Sequence, residues 1–243
     1  MNSVTDFEIT GETRIGDIVA ARPALARVFE ELRIDYCCGG KQTLAVASAR
    51  RGLAPATVLG LLEAATEIRS ATAVQDAAKL SLTELADHIE RTHHAYLKAE
   101  LPRLVELAER VARKHRERDA RLAEVAGIVY ELTTEMISHM QKEEQVLFPL
   151  VRQIEAGEFD DDADILLGPI ACMESEHDQA GALTARLRQL TDDYTPDAEA
   201  CNSHRALLAG LAEFETDLHQ HVHKENNLLF PRALAAARLL RDR

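Results

Sequence analysis

HMQKEEQVLFP at residues 139–149 and HVHKENNLLFP at 221–231 agree at six of eleven positions, although 82 residues separate them. Each places a histidine four residues before a glutamate, His139 with Glu143 and His221 with Glu225. On an α-helix that spacing sets both side chains on one face, one turn apart, where a single metal ion reaches both. Leu147 and Phe148 in the first copy, and Leu229 and Phe230 in the second, supply apolar packing one turn further on. The shared prolines, Pro149 and Pro231, predict a disturbance about two turns from the polar pair. A lone His-x-x-x-Glu pair is common on solvated helix faces. Two copies with the same apolar flank are different, because a carboxylate drawn into an interior needs compensation, and a metal ion supplies it. The repeat predicts two bundle helices presenting equivalent ligands to one interior.

The rest of the chain fits such a bundle. It is rich in Ala, Leu, Glu and Arg, has 4% aromatic residues and no Trp, and few segments alternate as strands do. SLTE at 81–84 reads as a capping box opening a helix that runs to about 115, with a kink or tightening near Pro102. A second helix spans about 119–155 and closes at Gly157, and the acidic stretch EFDDDAD (158–164) connects it to a third over about 168–191. Thr195 and Pro196 predict the start of a fourth, running towards 238. Short links between long helices imply antiparallel neighbours, so residues 76–243 read as an antiparallel four-helix bundle.

Residues 1–75 read as a small helical domain preceding it. Ile18, Val19, Leu25, Val28, Phe29 and Leu32 space as one face of a short helix or helix pair over 15–34. DYCCGGK (35–41) breaks that pattern, and further helical pieces follow near 42–50 and 55–69. Residues 70–79 have weak periodicity and read as a linker. The fold class is all-α.

Composition excludes several functions. With 28 basic against 41 acidic residues the formal net charge is −13, which opposes binding to nucleic acid or an anionic membrane, and no compact basic block offsets it. The longest run without a charged residue is 11, Gly52 to Leu62, too short to span a bilayer. Asp6 and Glu8 stand where a secretory signal would be cationic and then apolar, which points to the cytoplasm. The four cysteines, 37, 38, 172 and 201, are scattered unlike a disulfide scaffold and read as reduced thiols.

A bundle site draws ligands from all four helices, and histidines stand on each. The first helix offers His88, His93 and His94, and the apolar stripe of Leu82, Leu85, Ile89, Tyr96 and Leu97 is broad enough for His93 or His94. The third offers His177, with Glu174 three residues earlier as a rival. His115 lies about 31 Å from His94 along a continuous helix, too far to share one site. One histidine per helix, with Glu143 and Glu225 bridging, gives two ions eight donor atoms. Six-coordinate ions sharing an oxo or hydroxo bridge then keep one open position each. Imidazole-rich ligation disfavours Mg and Ca, and bridging carboxylates in a helical bundle point to two iron ions, ahead of manganese or zinc.

DYCCGGKQTLA (35–45), GPIACMESEHDQAG (168–181) and both His-x-x-Lys-Glu segments resemble the RIC family, repair of iron centres, over essentially the whole chain. Its members are similar to hemerythrins in their bundle and carry a small N-terminal domain with adjacent cysteines. The resemblance implies a non-haem di-iron centre held by His94, His139, Glu143, His177, His221 and Glu225, the glutamates bridging. It selects His94 over His93 by its spacing from Leu101-Pro102. It also implies restoration of iron-sulfur clusters damaged by nitric oxide or peroxide, through the supply of iron.

Cys37 and Cys38 are shared with that family and read as residues passing iron, electrons or nitrosyl groups to a client. Gly39 and Gly40 are expected to leave the sulfurs accessible, and Lys41 to lower the thiol pKa. Cys172 and Cys201 are expected to pack as small apolar residues. The expected partners are damaged iron-sulfur proteins, with nitric oxide or oxygen as small ligands, and the chain is a monomer or homodimer. An iron-donating repair protein is favoured over a conventional enzyme. The alternatives are a hemerythrin-like binder or sensor of oxygen or nitric oxide, and an enzyme acting on nitrite or nitric oxide.

Overall fold

Proline, glycine and a few capping contacts decide where the helices begin and end. A computed structural model describes residues 7–68, 77–159 and 163–241. The described residues are helical, with one isolated antiparallel bridge between Arg14 and Thr43. Packing divides the chain into two units, Met1–Ser81 with Val222–Arg232, and Leu82–His221 with Ala233–Arg243.

In the first unit, α1 (Ile15–Ala21) stops before Pro23, which lacks an N–H to continue it. Pro23–Leu25 forms a 3-10 turn leading into α2 (Ala26–Glu31), so the apolar stretch at 15–34 is a helix pair. Arg33 takes a φ of 56° and ends the pair. Thr43 Oγ1 accepts from the N–H of Val46 and caps α3 (Leu44–Arg50), and α4 (Pro55–Ile68) opens on proline as its first residue. Ile15, Ile18, Phe29, Leu44, Val58 and Leu62 make the centre of this unit's core. The linker expected at 70–79 lies outside the described residues except for a 3-10 turn at Ala77–Lys79. Positions 160–162 of the acidic connection also lie outside them.

The second unit begins with α5 (Leu82–Ile89), a π-helical turn at Glu90–His94, and α6 (Ala95–His115). The next run is α7 (Arg121–Lys142), a π turn at Glu143–Leu147, and α8 (Phe148–Ala156). Gly157, at φ 73°, closes α8 in the left-handed conformation that glycine adopts without penalty. The remaining elements are α9 (Leu167–Leu190), α10 (Asn202–Lys224), a π turn at Glu225–Leu229, and α11 (Phe230–Arg241), of which Val222–Arg232 groups with the first unit. Helix α6 packs on α7, α7 on α9 and α5 on α8, the neighbours of an antiparallel bundle.

Three details differ from expectation. The first run passes through Pro102 unbroken, and its irregularity lies at 90–94 instead. The prolines of the repeat act immediately beside the polar pairs, because each π turn starts at the glutamate itself, at Glu143 or Glu225. Phe148 N–H reaches Glu143 O and Phe230 N–H reaches Glu225 O, a widened turn that makes room for the proline ring that follows. The fourth helix starts at Asn202, not at Thr195. Asp192, Asp193 and Tyr194 all take positive φ in a turn that buries Tyr194 beneath the Arg188 guanidinium. Arg205 then bonds the carbonyls of Asp197, Ala198 and Ala200, which holds that stretch out of the helix.

At the start of α5 the N–H groups of Leu82 and Thr83 donate to Glu155 Oε1 (2.8 Å) and Oε2 (2.9 Å). A carboxylate there satisfies two helix-end donors and opposes the helix dipole. Glu155→Ala is expected to lower stability by about 1–2 kcal/mol, the scale of a lost N-cap, read by thermal denaturation.

Candidate metal centre

The π turns bring the ligand candidates inward. A π turn spreads the interior face of a helix over successive positions, and His93 and His94, at the end of the first one, are both buried. His94, Glu143, His221 and Glu225 each place one donor atom within 4.8 Å of the others, and so do His139, Glu143, His177 and Glu225. The two groups have both glutamates in common. All six residues are at most 1% exposed.

Individual contacts test whether this donor set suits a metal. His94 Nε2 lies 3.2 Å from Glu143 Oε2, His139 Nε2 lies 3.3 Å from the same oxygen, and His177 Nε2 lies 3.1 Å from His139 Nε2. Metal–nitrogen and metal–oxygen bonds of about 2.0–2.2 Å put adjacent ligands roughly 3 Å apart. The far nitrogens fix the proton positions. His94 Nδ1 donates to Glu144 Oε1 (2.7 Å) and His139 Nδ1 donates to Glu176 Oε2 (2.9 Å). In the neutral ring each Nε2 then carries a lone pair, and these lone pairs meet carboxylate oxygen or a second imidazole, an arrangement that a cation reconciles. The residues fit a cation.

The outer carboxylates are held by lysines, Glu144 by Lys98 and Glu176 by Lys142. Burial raises the pKa of both carboxyls, but the bonds from lysine and histidine outweigh it, and both lie below the ordinary carboxylate range. They stay ionised and keep the imidazole tautomers as assigned. Glu144→Gln and Glu176→Gln are each expected to weaken metal binding by about 10–100-fold without unfolding the chain, measured by competition with a chelator.

His93 belongs to neither donor group. Its Nδ1 pairs with Asp217 Oδ1 at 2.8 Å, and its ring stacks on His221 with centroids 5.3 Å apart. Glu174 is likewise in neither group, and His115, at the last position of α6, sets its Nε2 3.2 Å from Cys201 Sγ.

Residues 85–233 match the hemerythrin HHE cation binding domain, and residues 11–66 match ScdA_N, a domain of unknown function. The iron-sulfur cluster repair protein YtfE of Musicola paradisiaca (strain Ech703) is 39% identical over 225 residues, 92% of this chain and 96% of that protein. Its namesakes in Enterobacter sp. (strain 638) and Escherichia coli O157:H7 are each 37% identical over 221 residues, 91% of this chain and 96% of theirs. The chain belongs to the iron-sulfur cluster repair protein family. The resemblance read from the cysteine loop and the repeated segments is borne out, and so is the all-α, hemerythrin-like fold. The cation-binding domain and the buried His/Glu groups together point to iron binding. Among the described residues no helix is long and apolar enough to cross a membrane.

In this family member the adjacent cysteines sit in a tightly keyed loop. Asp35 Oδ1 accepts from the backbone N–H groups of Cys37 (3.1 Å) and Cys38 (3.0 Å) and from Cys37 Sγ (3.1 Å). Cys37 is buried and Cys38 half-buried. A bond with the Cys38 side chain, then burial and the Asp35 charge, push the Cys37 thiol well above its ordinary range. For Cys37 this direction is opposite to the one expected from Lys41, the bond with Cys38 leading and the loss of water and the Asp35 charge adding to it. The glycines also serve otherwise than expected. A side chain on Gly39 would meet the Asp35 carbonyl at 2.5 Å, and one on Gly40 would meet Asn227 and the Tyr36 carbonyl. Asn227 Nδ2 donates to the Cys37 carbonyl at 3.0 Å, and the Tyr36 ring packs edge-on against His223, whose imidazole burial keeps neutral, with a pKa down to about 4. Cys172 is exposed and Cys201 half-buried against His115, so neither packs as a small apolar residue.

Proposed function

We propose that this protein repairs iron-sulfur clusters damaged by nitrosative or oxidative stress, supplying iron from a di-iron centre. The ligands are His94, His139, Glu143, His177, His221 and Glu225. The observation that carries the reading is that both donor groups share Glu143 and Glu225. A glutamate common to both groups would serve two ions, one held with His94 and His221 and the other with His139 and His177. Bound there, iron would supply a labile cargo able to take up oxygen or nitric oxide.

The chain's own residues set how firmly that cargo is held. Glu144 and Glu176 turn the His94 and His139 rings so that Nε2 faces inward, and complete burial keeps bulk water away. Two bridging carboxylates against two divalent ions leave a net positive centre, which favours release over the firm retention of carboxylate-rich sites. Residues 1–75 act as a separate domain whose Cys37 and Cys38 pass iron, electrons or nitrosyl groups to damaged iron-sulfur proteins in the cytoplasm. The YtfE relatives over most of the chain support this activity.

The test is anaerobic repair of a [4Fe-4S] protein previously inactivated by nitric oxide. The iron-loaded wild type restores the cluster, the Cys37→Ser/Cys38→Ser variant keeps its iron but does not restore it, and Glu143→Leu does neither. Restoration no better than that given by an equal amount of free ferrous salt would sink the reading.

A further inference from the structure

Among the described residues, one group of potential metal ligands outside the bundle interior lies in the cysteine loop. Asp35, Cys37 and Cys38 each place a donor atom within 4.8 Å of the other two. We propose that these three residues form a second metal site, a two-thiolate, one-carboxylate receiving site for a single borderline divalent cation. Its assignment to ferrous iron in transit rests on the repair reading above; the site itself does not.

The loop is built in advance of any ligand. Asp35 Oδ1 and Cys37 Sγ are 3.1 Å apart, within about 0.5 Å of the roughly 3.6 Å that tetrahedral bonds of about 2.1 and 2.3 Å to one ion would set between them. The same oxygen holds both cysteine N–H groups, Gly39 lets the Asp35 carbonyl approach, and Asn227 secures the Cys37 carbonyl. Few rearrangements are left for binding to impose. Consecutive Cα atoms are about 3.8 Å apart, shorter than a disulfide ordinarily spans, so a disulfide between them would be strained, and the two free thiols are available as ligands.

Binding exchanges protons for metal and involves no redox change. One divalent cation replaces the protons of both thiols, which leave to solvent, and the resulting complex with two thiolates and one carboxylate carries a single negative charge. Thiolate ligands select a soft or borderline ion over Mg or Ca. Three protein ligands would leave an ion that takes four with one position for an exogenous ligand, and exposed Asp35 beside half-buried Cys38 keeps the group within reach of solvent. A cluster-ligating thiolate of a client protein suits that position chemically. The loop is a place of exchange, where a fourth protein ligand would have made a store.

Cadmium is the probe, added anaerobically to the full chain carrying its resident iron. The expected result is a thiolate-to-cadmium charge-transfer band that saturates at one ion per chain, with two protons released and the iron content unchanged. Asp35→Asn keeps the oxygen that holds the two backbone N–H groups but removes the charge, and is expected to weaken binding at least about tenfold with an unchanged melting temperature. Cys37→Ser/Cys38→Ser abolishes the band. No band, an equal affinity in Asp35→Asn, or cadmium taken up only as iron is lost would each overturn the proposal. None of these readouts is repair activity, so failure here leaves the repair reading standing, and failure of the repair assay leaves this site intact.

Discussion

Glu143→Leu is expected to empty both halves of the metal centre, while His94→Ala weakens only one. Glu143 stands in both donor groups and His94 in one. Iron analysis should fall from two ions per chain to none in Glu143→Leu and likewise in Glu225→Leu. In His94→Ala, Mössbauer spectra should keep one iron environment and lose the other. Misfolding is separable from ligand loss, because a buried carboxylate stabilises the protein only when compensated. Leucine, of similar volume, should leave the metal-free chain as stable as wild type or up to about 4 kcal/mol more so. A metal-free Glu143→Leu chain that melts well below metal-free wild type would mean that the carboxylate is a structural group and not a bridge.

Gly40→Ala is expected to destabilise the first unit strongly, because a side chain there meets the Asn227 amide and a backbone carbonyl together. The new carbon would lie 2.8 Å from the Tyr36 carbonyl oxygen and as close to Asn227 Cγ. Backbone cannot move aside as a flexible side chain can, so the cost is about 1–3 kcal/mol or more, roughly 3–10 °C in Tm. Cys37 should also become faster to alkylate as its loop lifts. Gly16→Ala meets the same Asn227 side chain, at 2.5 Å, but its nearest backbone neighbour, the Gly40 carbonyl, is at 3.0 Å, so it should be largely rescued by Asn227→Gly. Gly40→Ala should be rescued only in part. A double-mutant cycle that showed equal rescue at both positions would refute the distinction.

The helices and the shared ligand residues were legible because they rest on periodicity and on a repeat, both local properties. The choice between His93 and His94 was not, since a π turn widens the interior face and buries both. No composition rule marks a π turn, although a proline six residues after the glutamate, at Pro149 and Pro231, was a visible hint. Glu144 and Glu176 escaped notice because their role depends on which imidazole lies across from them on another helix. The reading of Gly39 and Gly40 as openings for the sulfurs failed for the same reason: their neighbours are Asp35 and Asn227, and the latter is 187 positions away from Gly40 in the chain. The late start of α10 follows from three positive φ angles in a row at non-glycine residues, which sequence patterns do not announce.

The two copies of the repeat differ where their surroundings differ. Gln141 and Gln145 are exposed in the first, while their counterparts His223 and Asn227 lie against the Tyr36 ring and the Cys37 carbonyl in the second. Glu144, which orients His94, has Asn226 as its counterpart. One phrase thus carries two addresses on a common stem: the invariant histidine, glutamate, leucine, phenylalanine and proline shape the turn, and the variable letters between them say what each copy touches. The second copy therefore does double duty, offering ligand candidates with its histidine and glutamate and holding the cysteine loop with the letters between them.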